Sequence, residues 1–281
     1  MNRYLQDNTK SNYDKFPVVQ VPGEENSCVT GWKDIALQLR TMLQKRDTKI
    51  LVLECYQGVH DCEVLEALKL YFPEACIFES MLAMKEQDAL FDIIKDDVTD
   101  DEIFGYMTRY AMDVYFDESK VNDMRSRIVA SSSELVIVYG VGASFIWQDA
   151  CLLTYLDMAR WEIQLRFRRN EIANIGFDNK EQRASLQYKH AFFVDWRICD
   201  RWKKQLLKKI DVFIDTNKAG KPKMVPAKAL FKGLEIAASR PFRVVPYFDQ
   251  GPWGGQWMKQ HIPGLNEEVP NLAWSFELMV L

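Results

Sequence analysis

The 281-residue sequence predicts an α/β fold, a mostly parallel β-sheet flanked by helices. Short β-rich apolar runs at residues 49–56, 75–80, 135–140 and 152–157 alternate with stretches of helical periodicity, the order that builds βαβ units. The runs are bounded by polar residues, as buried strands are. Composition agrees: 48 % hydrophobic and 27 % charged residues are ordinary for a globular chain, with no internal repeat or low-complexity tract.

Residues 1–30 are polar, contain Pro17, Pro22 and Gly23, and read as an N-terminal arm whose apolar run at 16–21 is a candidate edge strand. In residues 32–45 Ile35, Leu37, Leu39, Met42 and Leu43 follow helical spacing, and a strand over 49–56 comes next. Asp61 is the candidate N-cap of a helix that Pro73 ends. After the strand at 75–80, helical segments are expected over 84–94 and 100–111, then strands at 135–140 and 152–157 and a charged helix over 158–174. Residues 216–226 are basic, turn-rich and exposed in character, and a last helix is expected over 228–239. From Arg240 the text turns aromatic, with Pro and Gly, so the domain boundary is placed there: 1–30, 31–239 and 240–281, the last a short C-terminal extended segment.

The charge of -4, with acids and bases nearly balanced, argues against nucleic acid as a partner. The six cysteines are scattered without a CxxC pair and read as reduced thiols, mostly packed as small hydrophobes. Residues 1–15 have no apolar core and no run is long enough to span a bilayer, so the expected location is cytoplasmic, with no membrane partner.

Parallel sheets bind ligands beyond the carboxyl ends of their strands, which points to the loops after Tyr56, Ser80, Gly140 and Asp157. The first holds Gly58 and His60 where a nucleotide-binding α/β protein keeps its phosphate loop. It has one glycine and no Lys-Ser/Thr pair; the alternative is that Gly58 makes a turn and Asp61 caps a helix. The last leads into Arg166, Arg168 and Arg169, either a phosphate-binding set or a solvated basic face with i,i+4 pairs to Glu162. Asp92, Asp96, Asp97, Asp100, Asp101 and Glu102 lack EF-hand spacing, and Asp100–Glu102 suit a helix N-terminus better than Mg²⁺. His60, His190 and His261 show no zinc-ligand spacing, so no metal site is assigned, and no catalytic residue is either.

Residues 152–170 resemble the lid segment of uridine-kinase-like P-loop enzymes, a strand ending on an acid and leading into an arginine-bearing helix. The resemblance implies a degenerate P-loop-kinase-like domain, a phosphorylated ligand and a nucleotide with magnesium. The tail from Arg240 to Lys259, with Trp253, Gly254 and Gly255, is similar to the opening of class I mannose-6-phosphate isomerases, in which a Pro-x-Phe strand precedes Trp-Gly-Gly. The whole chain resembles the leading part of long isomerase-type proteins of Bacteroidetes, where a kinase-like domain precedes a zinc-dependent cupin. That likeness implies sugar-phosphate metabolism, with Trp253, Gly254 and Gly255 structural. The family's zinc ligands lie on later cupin strands and match nothing here, so the expectation is a chain that does not isomerise by itself. The alternatives are a nucleotide- or phosphosugar-binding regulatory module and an atypical nucleoside or sugar kinase.

Overall fold

The structure, a computed structural model, describes residues 18–239 and 260–264. Among these, seven strands form one sheet in the order β1-β7-β6-β5-β2-β4-β3. The strands are β1 (Val29–Thr30), β2 (Ile50–Cys55), β3 (Ala75–Glu79), β4 (Leu135–Gly140), β5 (Leu152–Asp157), β6 (Val212–Asp215) and β7 (Lys223–Pro226). β6, β5, β2, β4 and β3 are mutually parallel, while β7 and β1 extend the sheet antiparallel. β2 is flanked by β4 and β5, with Glu54 in register with Gly140 on one side and Tyr155 on the other. The α/β class with a mostly parallel sheet is as expected.

The named helices among the described residues are α1 (Trp32–Arg46), α2 (Asp61–Tyr71), α3 (Gln87–Val98), α4 (Glu118–Ala130), α5 (Ala143–Ile146), α6 (Arg160–Arg168), α7 (Ala184–His190), α8 (Trp196–Leu206) and α9 (Ala227–Ala238). A π-helical turn, Ala191–Asp195, joins α7 to α8. Leu51, Val52, Val136, Ile137, Val138, Leu156 and Ile214 of the central strands are fully buried, so the sheet is covered on both faces. Two compact units divide the chain, one of residues 23–231 and one of residues 1–22 with 232–281. In the second, the Lys232 ammonium donates to the Pro22 carbonyl.

Several expected elements are corrected. Residues 100–111 form no helix, although Ile103, Phe104 and Met107 have helical spacing. The Asp101 carboxylate instead accepts from the N–H groups of Ile103 and Phe104, both at 2.7 Å, and closes a turn that competes with helix. Asp100, Asp101 and Glu102 thus follow a helix rather than start one. The helix expected over 84–94 is α3, which starts only at Gln87 and runs to Val98; residues 84–86 are non-helical and follow a 3-10 turn at Ser80–Ala83. The helix expected over 158–174 stops at Arg168, because Asn170 adopts φ 56° and two turn-closing bonds form, Asn170 N to Phe167 O and Glu171 N to Arg166 O.

Asp61 is not a cap. His60 is the N-cap residue of α2, without a side-chain cap bond, and the Asp61 carboxylate accepts from the Tyr139 hydroxyl at 2.6 Å. The end of the basic segment 216–226 is not an exposed turn but β7, which pairs with β6, buries Met224, packs Val225 against the core and leaves Lys223 exposed. Of the edge strand expected over 16–21, the described residues 18–21 pair with no strand.

Candidate functional site

The carboxyl ends of β2, β3, β4 and β5 lie on one edge of the sheet, with β2 at the point where the strand order turns back. The loops expected to carry a site therefore stand together. Their hydrogen bonds are made largely to one another: Ser80 Oγ donates to Val141 O at 2.8 Å, Tyr56 N to Leu156 O at 2.9 Å, and Thr216 Oγ1 to Asp157 O at 3.0 Å.

Glu54, which sequence reading passed over, occupies the centre of this edge. It is buried, and its Oε1 accepts from Gly142 N at 2.8 Å while its Oε2 accepts from Ser144 N at 2.7 Å and Ser144 Oγ at 2.6 Å. Trp202 Nε1 in turn donates to Ser144 Oγ at 3.0 Å. Backbone N–H groups converging at a turn of this kind form an anion nest. Gly142 shapes it with φ 75°, and a Cβ there would lie 2.5 Å from the Phe116 ring. Burial pushes the Glu54 carboxyl up to about 7, against the pull of the Ser144, Gly142 and Trp202 donors. One acid among the apolar residues of a strand is the sequence feature that would have found it.

The loop after β2 turns at Gly58, φ 97°, where a Cβ would meet Ile163 Cγ1 of α6 at 2.8 Å. Gln57 is buried, donating to Ala173 O and accepting from Trp196 Nε1, each at 3.0 Å. The Gly58 carbonyl accepts from Arg166 Nη1 at 2.7 Å. Arg166 is itself buried, its Nη2 donating to Thr216 O at 2.8 Å and Asn217 O at 3.2 Å, with Glu162 Oε1 at 3.4 Å from Nε. The three arginines thus have three environments and form no continuous solvated face. Arg169 is exposed at the rim, bonded to both oxygens of Glu171 at 2.7 and 2.9 Å and to Glu162 at 2.8 Å, which raises its pKa. Arg168 is exposed, its guanidinium 6.0 Å from the centre of the Trp161 ring. His60 Nε2 lies 3.3 Å from Glu171 Oε2; burial, then the Arg166 charge, lowers its pKa.

Beside this edge Tyr56 donates to Asp200 Oδ1 at 2.8 Å, Arg160 pairs with Asp200, and Lys203 pairs with Asp157. A second buried group lies on the π-helical turn. The Asp195 carboxylate accepts from the Tyr115 hydroxyl and from Asn174 Nδ2, both at 2.7 Å, and His190 Nε2 stands 3.5 Å away. Burial lowers the His190 pKa.

A cleft of about 470 Å³ lies elsewhere, at the amino edge of the sheet, lined in part by Arg40, Gln44, Lys49, Glu74 and Glu134. Arg40 is held there by both oxygens of Glu74, at 2.5 and 3.0 Å. Among the described residues no group of three or more His, Cys, Asp or Glu side chains is placed to hold a metal ion, and no helix is long and apolar enough to cross a membrane. Trp253, Gly254 and Gly255 lie outside the described residues.

No curated protein and no solved structure matches the chain. A family profile does match, over residues 31–239, which takes in the carboxyl edge and every strand but β1. The chain belongs to the family described as Domain of unknown function (DUF8485).

Proposed function

We propose that residues 31–239 are a P-loop-kinase-like module of a mannose-6-phosphate-isomerase-type protein, and that the module does not transfer phosphoryl groups. The observation that carries this reading is the Glu54 carboxyl group seated on the N–H groups of Gly142 and Ser144, at the place where an α/β sheet of this order receives an anion. The strand order supports it: β2 is central, so the loop at Gly58 and the start of α2 stand where a phosphate loop would. That loop offers no Lys-Ser/Thr pair, and its Gly58 carbonyl faces the Arg166 guanidinium. Phosphoryl transfer depends on positioning and charge neutralisation around the phosphates, and here the Arg166 guanidinium is taken up by backbone carbonyls and that of Arg169 by Glu162 and Glu171. No step of the proposal uses zinc or magnesium.

A second reading, binding of a small phosphorylated ligand, rests on Arg169. It is an exposed guanidinium at the rim beside His60, where a phosphate would exchange for the carboxylates of Glu162 and Glu171.

Calorimetry of the full chain with mannose 6-phosphate and with ATP and Mg²⁺, alongside an ADP-release assay, tests both. The expected result is no ADP release, and sugar-phosphate binding weakened about tenfold by Arg169→Ala, the loss of one charge-assisted contact. ADP release well above background would overturn the first reading. Absence of binding by the unsubstituted chain would remove the second and leave the first.

A further inference from the structure

The loop between α3 and the 3-10 turn at Met112–Tyr115 is built against the usual economy of a surface. Ile103, Phe104 and Tyr106 are each 70 % exposed and Met107 50 %, all within five consecutive positions. An exposed apolar cluster of this size marks a contact surface more often than idle solvent-facing chain.

The loop is nonetheless firmly held. Asp101 accepts from the N–H groups of Ile103 and Phe104, Thr99 Oγ1 donates to Phe104 O at 2.6 Å, Tyr106 N donates to Asp97 O at 2.7 Å, and Thr108 N donates to Phe193 O at 2.9 Å. The Lys189 ammonium donates to the carbonyls of Thr99 and Asp101 from below. Gly105 fits only as glycine, since a Cβ would lie 2.6 Å from Asp97 O. Two further features cost stability at the same place. Thr99 is β-branched and has φ 60°, a conformation such residues seldom adopt. Asp96 and Asp97 sit in the last turn of α3, the end of a helix that disfavours negative charge. A segment that gathers exposed apolar residues, backbone strain and misplaced charge, yet is tightly bonded, is preorganised for something outside itself.

Charge chooses among the occupants. Asp96, Asp97, Asp100, Asp101 and Glu102 edge the cluster and outnumber the exposed Arg109; beside them Arg183 pairs with Glu102 at 2.9 Å and Lys189 donates to the Asp101 carbonyl. A second copy of the same face would bring these carboxylates together, and an anionic lipid surface would be repelled. We infer that Ile103, Phe104, Tyr106 and Met107 form the apolar centre of a docking surface for a partner protein whose complementary face is an apolar pocket rimmed by Lys and Arg. Large anchors at the centre and charges at the rim are how such interfaces divide affinity from specificity.

Photocrosslinking tests this. p-Benzoylphenylalanine is placed at position 104 of the full chain, and at position 129 of α4, an exposed site away from the loop, as the control. Cells are irradiated and the joined peptides are sequenced by mass spectrometry. The expected product at position 104 is a peptide of another protein that combines apolar residues with Lys or Arg. Its yield falls at least fivefold when Asp96→Lys and Asp100→Lys reverse the rim, substitutions that touch none of the loop bonds named above. A yield no higher than at position 129, a product joined to lipid or to a second copy of this chain, or indifference to the charge reversal would each overturn the inference.

Discussion

Arg166 and Gly58 stand 108 positions apart in sequence and are joined by one hydrogen bond, Nη1 to the carbonyl at 2.7 Å. The same guanidinium reaches the carbonyls of Thr216 and Asn217, so a single buried side chain ties the loop after β2 to the loop after β6. Removing it leaves buried acceptors unpaired and a hole beneath the loop. Arg166→Ala is expected to lower unfolding free energy by about 3 kcal/mol in denaturant titration. Arg168→Ala, on the exposed side of the same helix, changes it by less than about 0.5 kcal/mol. Equal effects would mean that Arg166 does not hold the loops.

Glu54 gives the fold a pH dependence of definite sign. Its folded pKa of about 7 lies above the unfolded value of 4.5, so the native state keeps a proton that the unfolded state has released. The contribution of this group is full below the unfolded value, declines through the interval up to about 7, and is gone above it. The total is on the order of 3 kcal/mol. Unfolding curves from pH 5 to 8 for the unsubstituted chain and for Glu54→Gln isolate it by difference; a difference that does not vary with pH refutes the assignment.

His190 acts with the opposite sign. Burial holds its pKa below the ordinary 6.5, so the fold favours the neutral ring, and stability is kept above 6.5 and lost as pH falls below it. Replacement by a residue that does not titrate, His190→Gln, should flatten the decline on the acid side. Thermal melts between pH 4.5 and 7 measure it, and an unchanged slope would transfer the effect to other groups.

Gly58 and Gly220 separate crowding from backbone preference. Both have positive φ, 97° and 68°, but a Cβ at Gly58 meets Ile163 and Ile172 while Gly220 has nothing within 4 Å. Gly220→Ala should cost about 1 kcal/mol, the left-handed penalty alone. Gly58→Ala should cost roughly 3 kcal/mol, with overpacking added. Similar midpoint shifts for the two in the same denaturant would show that α6 yields.

The thiols divide by burial. Cys28 and Cys62 are exposed, whereas Cys55, Cys151 and Cys199 are buried, and burial raises the pKa of each of these three. A thiolate reagent at pH 8 should label the first two quickly and the other three only on unfolding. Fast labelling of Cys55 in the folded chain would contradict its place in β2.

The strands at 49–56, 75–80, 135–140 and 152–157 were legible because buried parallel strands are short and predominantly apolar, a pattern that local sequence contains. α4 was passed over, although its sequence carries helix signals: Val121, Met124 and Ile128 fall on one face, and Asp117 accepts from Lys120 N at 3.0 Å as its cap. Residues 100–111 misled, since Ile103, Phe104 and Met107 keep helical spacing although no core lies opposite them. The site was the least legible part. Gly58 and Arg166 could be singled out, but that one meets the other depends on contacts more than a hundred residues long. The seat of the Glu54 carboxyl group on the N–H groups of Gly142 and Ser144 exists only once β4 lies beside β2.

That carboxyl group has one more consequence. It is tethered to the strand beneath its own binding nest, so it acts as an intramolecular ligand, present at an effective concentration in the millimolar range or above. A free anion that reaches the N–H groups of Gly142 and Ser144 must displace a resident competitor that diffusion never carries away. The domain is self-ligated at its switch point, and the ligand is encoded in the strand.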